Sequence, residues 1–261
     1  MNHSFKKIRP ATAKASISFA LTIVMSLSAH GQTVTQSATN PNQLTSAAPL
    51  PPNYKTIFEN PDLLVMHVHY GAHEFVPMHD HPAVATMFVY LNDSGEVDIT
   101  HEGPNAFTAQ RPPTHTGAFR IAPAMAERHS VTSHSDTDSE FLRVELKRIP
   151  PDDIKKVFRG EVPDTLIPRS EAPTTLIPSN NTEFEDRAIR VERIVCGADC
   201  VVHSLLNRSL LIAITPSSID NERLNPGDVR FFPALKKGDK LHMSHLSPNG
   251  QFLRVSLLYP E

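Results

Sequence analysis

A chain that carries the same pattern twice, in the same order, is constrained to build the same unit twice. Here Gly117-x-x-Arg120-x-x-Pro123-Ala124 recurs as Gly227-x-x-Arg230-x-x-Pro233-Ala234. Farther on, Ser133-His134 and Phe141-Leu142-Arg143-Val144-x-Leu146 recur as Ser244-His245 and Phe252-Leu253-Arg254-Val255-x-Leu257. A single one-residue gap brings both blocks into register. Chance can produce one such match but hardly two in sequence, so the chain is read as a tandem repeat. The repeated segments are short apolar runs closed by turn residues. Leu63 to Tyr70, Ala85 to Leu91 (followed by Asn92-Asp93-Ser94-Gly95), Phe119 to Ile121 and Phe141 to Leu146 all have strand character. With 23 prolines in 261 residues, long helices are disfavoured and short strands and turns are favoured. The predicted class is all-β, each unit a barrel or sandwich.

Segments outside the repeat read differently. Lys6, Lys7 and Arg9 precede an uncharged apolar stretch from Ala15 to Ala29, and Ala29-His30-Gly31 offers small residues for cleavage before Gln32. Residues 1–31 are therefore expected to be a signal peptide, and the protein exported to the periplasm or secreted. The apolar stretch is shorter than the ~18 residues of a membrane-spanning helix, so no stable membrane insertion is expected after cleavage. Residues 32–52 are polar and end in Pro49-Leu50-Pro51-Pro52, the composition of a flexible leader. The first unit is placed at 53–147 and the second at 184–261. Between them, 148–183 carries Pro163, Pro168, Pro173 and Pro178 at regular spacing. That stretch is either a stiff extended linker or an arm along a barrel wall that buries Leu166, Ile167, Leu176 and Ile177. In an oxidising compartment Cys196 and Cys200 could close a short disulfide; equally, they could be two small buried side chains. A net charge of −3 with interspersed signs excludes a nucleic-acid surface.

The chemistry concentrates in Pro77-Met78-His79-Asp80-His81-Pro82. On a strand, residues two apart face the same way, so His79 and His81 present two imidazoles together, a pairing suited to a divalent transition metal. Alone this is weak evidence, since the chain has 14 histidines and His67-Val68-His69 is a second such pair. The surroundings add more. Gly71, His79, His81 and Gly95, then Gly117, Pro123 and His129, resemble the two motifs of the cupin superfamily. The stretch from Asn60 to Pro82 is especially similar to small single-barrel cupins. That resemblance implies two tandem double-stranded β-helix (jelly-roll) barrels, with His79, His81 and His129 meeting inside the first. Three departures stand out. The family's glutamate ligand should fall near Ala85 or Thr86, neither of which can ligate; the glycine after Pro123 is replaced; and His129 lies one residue farther from Pro123 than usual. A bulge would absorb the extra residue.

The implied cofactor is a divalent metal (iron, manganese, zinc, nickel or copper) with coordination positions left for water or substrate. Glu74 or Glu127 could add a carboxylate, although both read more simply as surface acids. Arg120 has its echo, Arg230, in the unit without the histidines, which points to a structural role. His67, His69, His73 and His134 read as solvated or hydrogen-bonded rather than as ligands. In the second unit Leu205 stands opposite His81, and Asp239 or Lys240 stands opposite His129, so that unit is degenerate as a metal site. Two functional classes follow. One is a metal-dependent enzyme (an oxygenase, isomerase or hydrolase acting on a small molecule); the other is a module that binds a small ligand or metal without turnover. Similarity to cupins also suggests pairing through sheet faces, either in a homodimer or between the two units of one chain.

Overall fold

The computed structural model describes residues 50–259 except 105, 151, 161–176, 199 and 241–242. The expected signal peptide, and the expected leader up to residue 49, lie outside the described residues. So does most of the proline-repeat segment. Among the described residues every regular element is a strand, and no helix is long and apolar enough to cross a membrane.

The first unit contains β1 (Tyr54–Glu59), β2 (Leu63–Tyr70), β3 (Phe75–Tyr90), β4 (Val97–His101) and β5 (Phe107–Arg111). It continues with β6 (Phe119–Ser133), β7 (Ser139–Leu146) and β8 (Phe158–Gly160). These pair in the order β1-β2-β7-β3-β6-β4-β5, with β8 also paired to β6. The second unit holds β9 (Ser179–Glu185), β10 (Ile189–Val195), β11 (Cys200–His203), β12 (Ser209–Ala213) and β13 (Ser217–Ile219). β14 (Glu222–Leu224), β15 (Val229–Phe232), β16 (Met243–Leu246) and β17 (Gln251–Leu257) complete it. They form two sheets, ordered β15-β12-β17-β10-β9 and β11-β16-β13-β14. The fold is thus all-β and built as two jelly-roll barrels in tandem. The stretch 148–183 contributes a strand at each end: β8 pairs with β6 of the first barrel, and β9, which continues to Glu185, pairs with β10 of the second. Of the apolar residues expected to bury there, Ile177 is exposed.

The repeat has a direct structural meaning. In β7, strand alternation sends Leu142, Val144 and Leu146 to one face and Phe141, Arg143 and Glu145 to the other. In β17 it does the same for Leu253, Val255 and Leu257. All six aliphatic residues belong to one buried cluster, together with Leu63, Val65, Met87, Ile189, Leu210 and Ile212. The barrels therefore pack back to back through matching strands. Burying each such side chain contributes roughly 1.5–3 kcal/mol. The repeated glycines also match: Gly117 and Gly227 both adopt positive φ, at 82° and 87°. Each donates its N–H to the last residue of an earlier strand, Gly117 to the Tyr90 carbonyl of β3 and Gly227 to the Ala213 carbonyl of β12. A side chain there would be strained, which accounts for glycine in both copies.

Cys196 and Cys200 are joined by a disulfide, their Cα atoms 5.1 Å apart. Because one apolar core serves both barrels, Leu142→Ala in the first and Leu253→Ala in the second should each lower stability by about 2–5 kcal/mol. Both variants should still unfold in a single cooperative transition by urea denaturation. Two separate transitions in the wild-type protein would show that the barrels do not depend on each other.

Candidate metal centre

Three prolines shape the strands that carry the histidines. Proline has no N–H to give to a ladder, so a strand containing it bulges. The β3–β6 pairing shifts between Val76 and His79, between His81 and Val84, and again between Val84 and Thr86. Pro77 and Pro82 lie in the first two shifts. The third places one residue of β3 against the two-residue Pro123-Ala124 segment of β6, absorbing the extra residue before His129. The outcome is a register in which His79 lies directly across from His129 and His81 across from Glu127.

His79, His81 and His129 converge inside the first barrel and are buried. Each can present one nitrogen such that all three lie within 4.8 Å of one another. Their ring centroids are 5.0 Å (His79–His81), 4.6 Å (His79–His129) and 5.2 Å (His81–His129) apart. Both nitrogens of His81 and Nδ1 of His129 are buried without a hydrogen-bond partner. Buried polar atoms are normally satisfied, so unpartnered nitrogens on both His81 and His129, beside a third ring, fit a cation as the missing partner. His79 Nδ1 donates to the Pro77 carbonyl at 2.7 Å, which leaves Nε2 as the acceptor. That nitrogen takes a hydrogen bond from the Tyr54 hydroxyl at 2.9 Å, and Tyr54 is in turn 2.7 Å from the Tyr70 hydroxyl. Burial raises the proton affinity of both phenols, Tyr70 to about 12, so they remain donors.

Carboxylates enter from β7 and β6 rather than from β3. Glu145, opposite Thr86 in the sheet, has Oε1 3.7 Å from His81 Nδ1. The acid missing near Ala85 and Thr86 thus reappears one strand across. Burial pushes the Glu145 carboxyl up, but the His81 imidazole and the Arg143 guanidinium outweigh it and hold it below the ordinary value. Arg143 donates Nε to Glu145 at 3.0 Å and NH1 to Glu127 at 3.1 Å. Glu127 therefore lies beside the site. Glu74 does not: it accepts the Gly71 N–H and an Asn53 amide N–H at the end of β2. Of the other histidines named from the sequence, His67 and His69 contact Glu140, His73 contacts Asp136 and His134 contacts Asp98.

A cavity of about 350 Å³ opens beside His129. Phe88, Tyr90, Phe141, Val97 and Ile99 make most of its wall apolar, and Arg111, Arg120 and Arg143 line it as well. His101, across β4 from His129, stacks on Phe107 at 4.5 Å. Tyr54, His101, Arg143 and Glu145 were not singled out from the sequence. For Arg143 and Glu145 a signal existed: charged residues alternating with Leu142, Val144 and Leu146 must face a different environment from them. Arg120 was read as structural from its echo, yet it lines the cavity, whereas Arg230 is paired with Glu222.

Among the described residues the second barrel has no such histidine cluster. His203 and the segment holding Asp239 and Lys240 are exposed. Its interior is filled by Ile194, Val202, Leu211, Leu246 and Phe252.

No family model and no curated protein matches this chain. Solved structures do. AerE from Microcystis aeruginosa is similar over 82% of this chain and 96% of its own, with a TM-score of 0.52 at 9% identity. The bacterial pirin YhhW from Escherichia coli, solved in complex with nickel(II), covers 78% of this chain and 90% of its own, with a TM-score of 0.52 at 12% identity. YlbA from E. coli covers 80% and 86%, with a TM-score of 0.51 at 11% identity. The likeness is one of fold. This chain has a two-barrel jelly-roll architecture, with a three-histidine cluster in its first barrel alone among the described residues.

Burial also sets a pH dependence. Desolvation lowers the proton affinity of His79, His81 and His129 from the ordinary 6.5, and the neighbouring imidazoles take His129 further, to about 2. The unfolded chain binds protons below about pH 6.5 that the folded chain refuses, so stability falls as pH drops through that value. Chelator-treated protein should lose urea resistance between pH 7 and 5, and His129→Leu should flatten that slope.

Proposed function

We propose that the first barrel binds one divalent transition metal through His79, His81 and His129 and applies it to a small molecule held in the adjoining cavity. The observation that carries this reading is the set of buried imidazole nitrogens with no partner inside the protein. Burial keeps the rings neutral, the form that ligates. A bound metal would supply Lewis acidity and a template for substrate, with coordination positions beyond the three histidines left for it. Around it, Glu145 lies 3.7 Å from His81 Nδ1, Arg143 holds both carboxylates, and the Tyr54 hydroxyl, which donates to His79 Nε2, would yield that nitrogen to the metal. Imidazole ligands accept iron, manganese, zinc, nickel and copper alike. The nickel in the pirin structure supports a divalent ion without selecting one.

Protein purified without chelator should carry about one metal per chain by elemental analysis. His81→Ala should abolish uptake, and Glu145→Gln should weaken it about 10–100-fold by removing the carboxylate that orients a ligand. Stripped protein that takes up none of manganese, zinc, nickel or iron on titration would defeat the proposal. One observation favours binding without turnover: Glu127 and Glu145 are both tied to Arg143, which leaves neither as an untethered base. A metal-loaded protein that binds ligand but turns nothing over would decide for that reading.

The chain is also proposed to be exported. The basic and apolar pattern of residues 1–31 supports this, as does a disulfide of the kind that persists in oxidising compartments. Mass spectrometry of the mature protein should find its N-terminus at Gln32; an intact Met1 in fractionated cells would oppose export.

A further inference from the structure

The cavity beside His129 has an unbalanced set of charges. Three guanidinium groups and one carboxylate, Glu127, line it, and two of the guanidinium groups have hydrogen-bond partners. Arg143 is held by Glu127 and Glu145. Arg111 donates to the Thr114 and Ser139 hydroxyls at 3.1 and 3.3 Å and lies over the Tyr90 ring. Arg120 differs. Its Nε is buried with no hydrogen-bond partner, and its one contact of note is with the face of Phe88, 4.3 Å from guanidinium carbon to ring centroid. Among the described residues no carboxylate pairs with it. Its counterpart in the repeat, Arg230, does have a carboxylate partner, Glu222. A guanidinium is always charged, and a partly desolvated one without a counter-ion is unfavourable unless something else supplies the negative charge.

The rest of the cavity defines what carries that charge. Its wall is mainly aromatic and aliphatic, and its mouth carries three exposed apolar side chains: Phe107 (51%), Met125 (51%) and Val157 (53%). Large apolar groups left in solvent around an opening mark a place where an apolar body enters. At about 350 Å³ the cavity is near the lower end of ligand sites, the size for a single ring rather than for a nucleotide or a sugar chain. One uncommitted guanidinium suits one carboxylate, which its planar fork can grip with two parallel bonds. A doubly charged phosphate would need more donors than remain.

We propose that this cavity takes an apolar monocarboxylate of about one aromatic ring, its carboxylate paired with Arg120 and its body against Phe88, Tyr90 and Phe141. The assignment rests on reading the cavity as the substrate pocket of the histidine site, and it deepens that reading by naming the chemical class. It makes Arg120 the residue that selects for charge and orients the ring. The approach of the ligand to His129 follows from the cavity they share.

The test uses benzoate and its neutral counterpart benzyl alcohol, titrated calorimetrically into the full-length mature protein, both stripped of metal and loaded with zinc. Charge-assisted hydrogen bonds contribute about 1.5–3 kcal/mol, so benzoate should bind stripped protein at least about tenfold more tightly than benzyl alcohol. Arg120→Met should erase that preference while leaving metal uptake and the urea midpoint unchanged. Equal affinities for the two probes in wild-type protein, no binding of either, or a preference that survives Arg120→Met would each overturn the proposal. So would benzoate binding that appears only with zinc and is indifferent to Arg120, since the anion would then be on the metal. Metal analysis of the same samples separates the two claims. Protein that takes no metal yet prefers benzoate through Arg120 supports the pocket and sinks the metal centre.

Discussion

The apolar core between the barrels holds this molecule in its working shape. Leu142, Val144 and Leu146 on one side and Leu253, Val255 and Leu257 on the other bury one face of each central strand. A strand clamped on one face has its opposite face aimed with little freedom, because its side chains alternate strictly. The inward faces of β3, β6 and β7 are therefore set by packing on the outside of the barrel. His79, His81, His129, Arg143 and Glu145 inherit their positions from hydrophobic contacts they do not make. A one-residue slip in β7 would exchange Arg143 and Glu145 with Leu142 and Val144, and both the core and the site would be lost together.

The two barrels show how one scaffold supports opposite interiors. In the second, the space is filled by Ile194, Leu211, Leu246 and Phe252, and the residues opposite the histidines are apolar or exposed. In the first, the same space holds imidazoles, phenols, a guanidinium between two carboxylates and a cavity. Polar groups buried in this way cost stability when unsatisfied. The apolar interior of the second barrel and the shared core offset that cost, which is consistent with a division between a supporting unit and a chemical one. Arg254 illustrates the contrast: the counterpart of Arg143 in the repeat, it pairs among the described residues with one carboxylate, Glu192.

Proline at Pro77, Pro82 and Pro123 makes the strands depart from regular pairing where the site requires it. Each bulge shifts the register locally, and the sum brings His79 opposite His129 despite the longer segment after Pro123. The same irregularity that weakened the motif match in the sequence is what aims the third histidine inward.

How much of this could be read from the residues follows from the range over which each feature acts. The tandem repeat, the all-β class, the paired histidines and the third one downstream are written in local patterns, since strand periodicity and motif spacing act over a few residues. The disulfide stayed open in the sequence because it depends on whether a turn closes. The replacement of the lost β3 carboxylate by Glu145 was hidden, because neighbours across a sheet are set by register between strands far apart in the chain. The position of Arg120 was hidden for the same reason: its echo in Arg230 preserves the residue but not the partner, and only the folded wall shows that Arg120 lines the cavity without a paired carboxylate among the described residues. The sequence by itself determined the architecture and the identity of the three imidazoles. Only the tertiary structure decided what surrounds them, because that environment is assembled by packing between strands rather than along them.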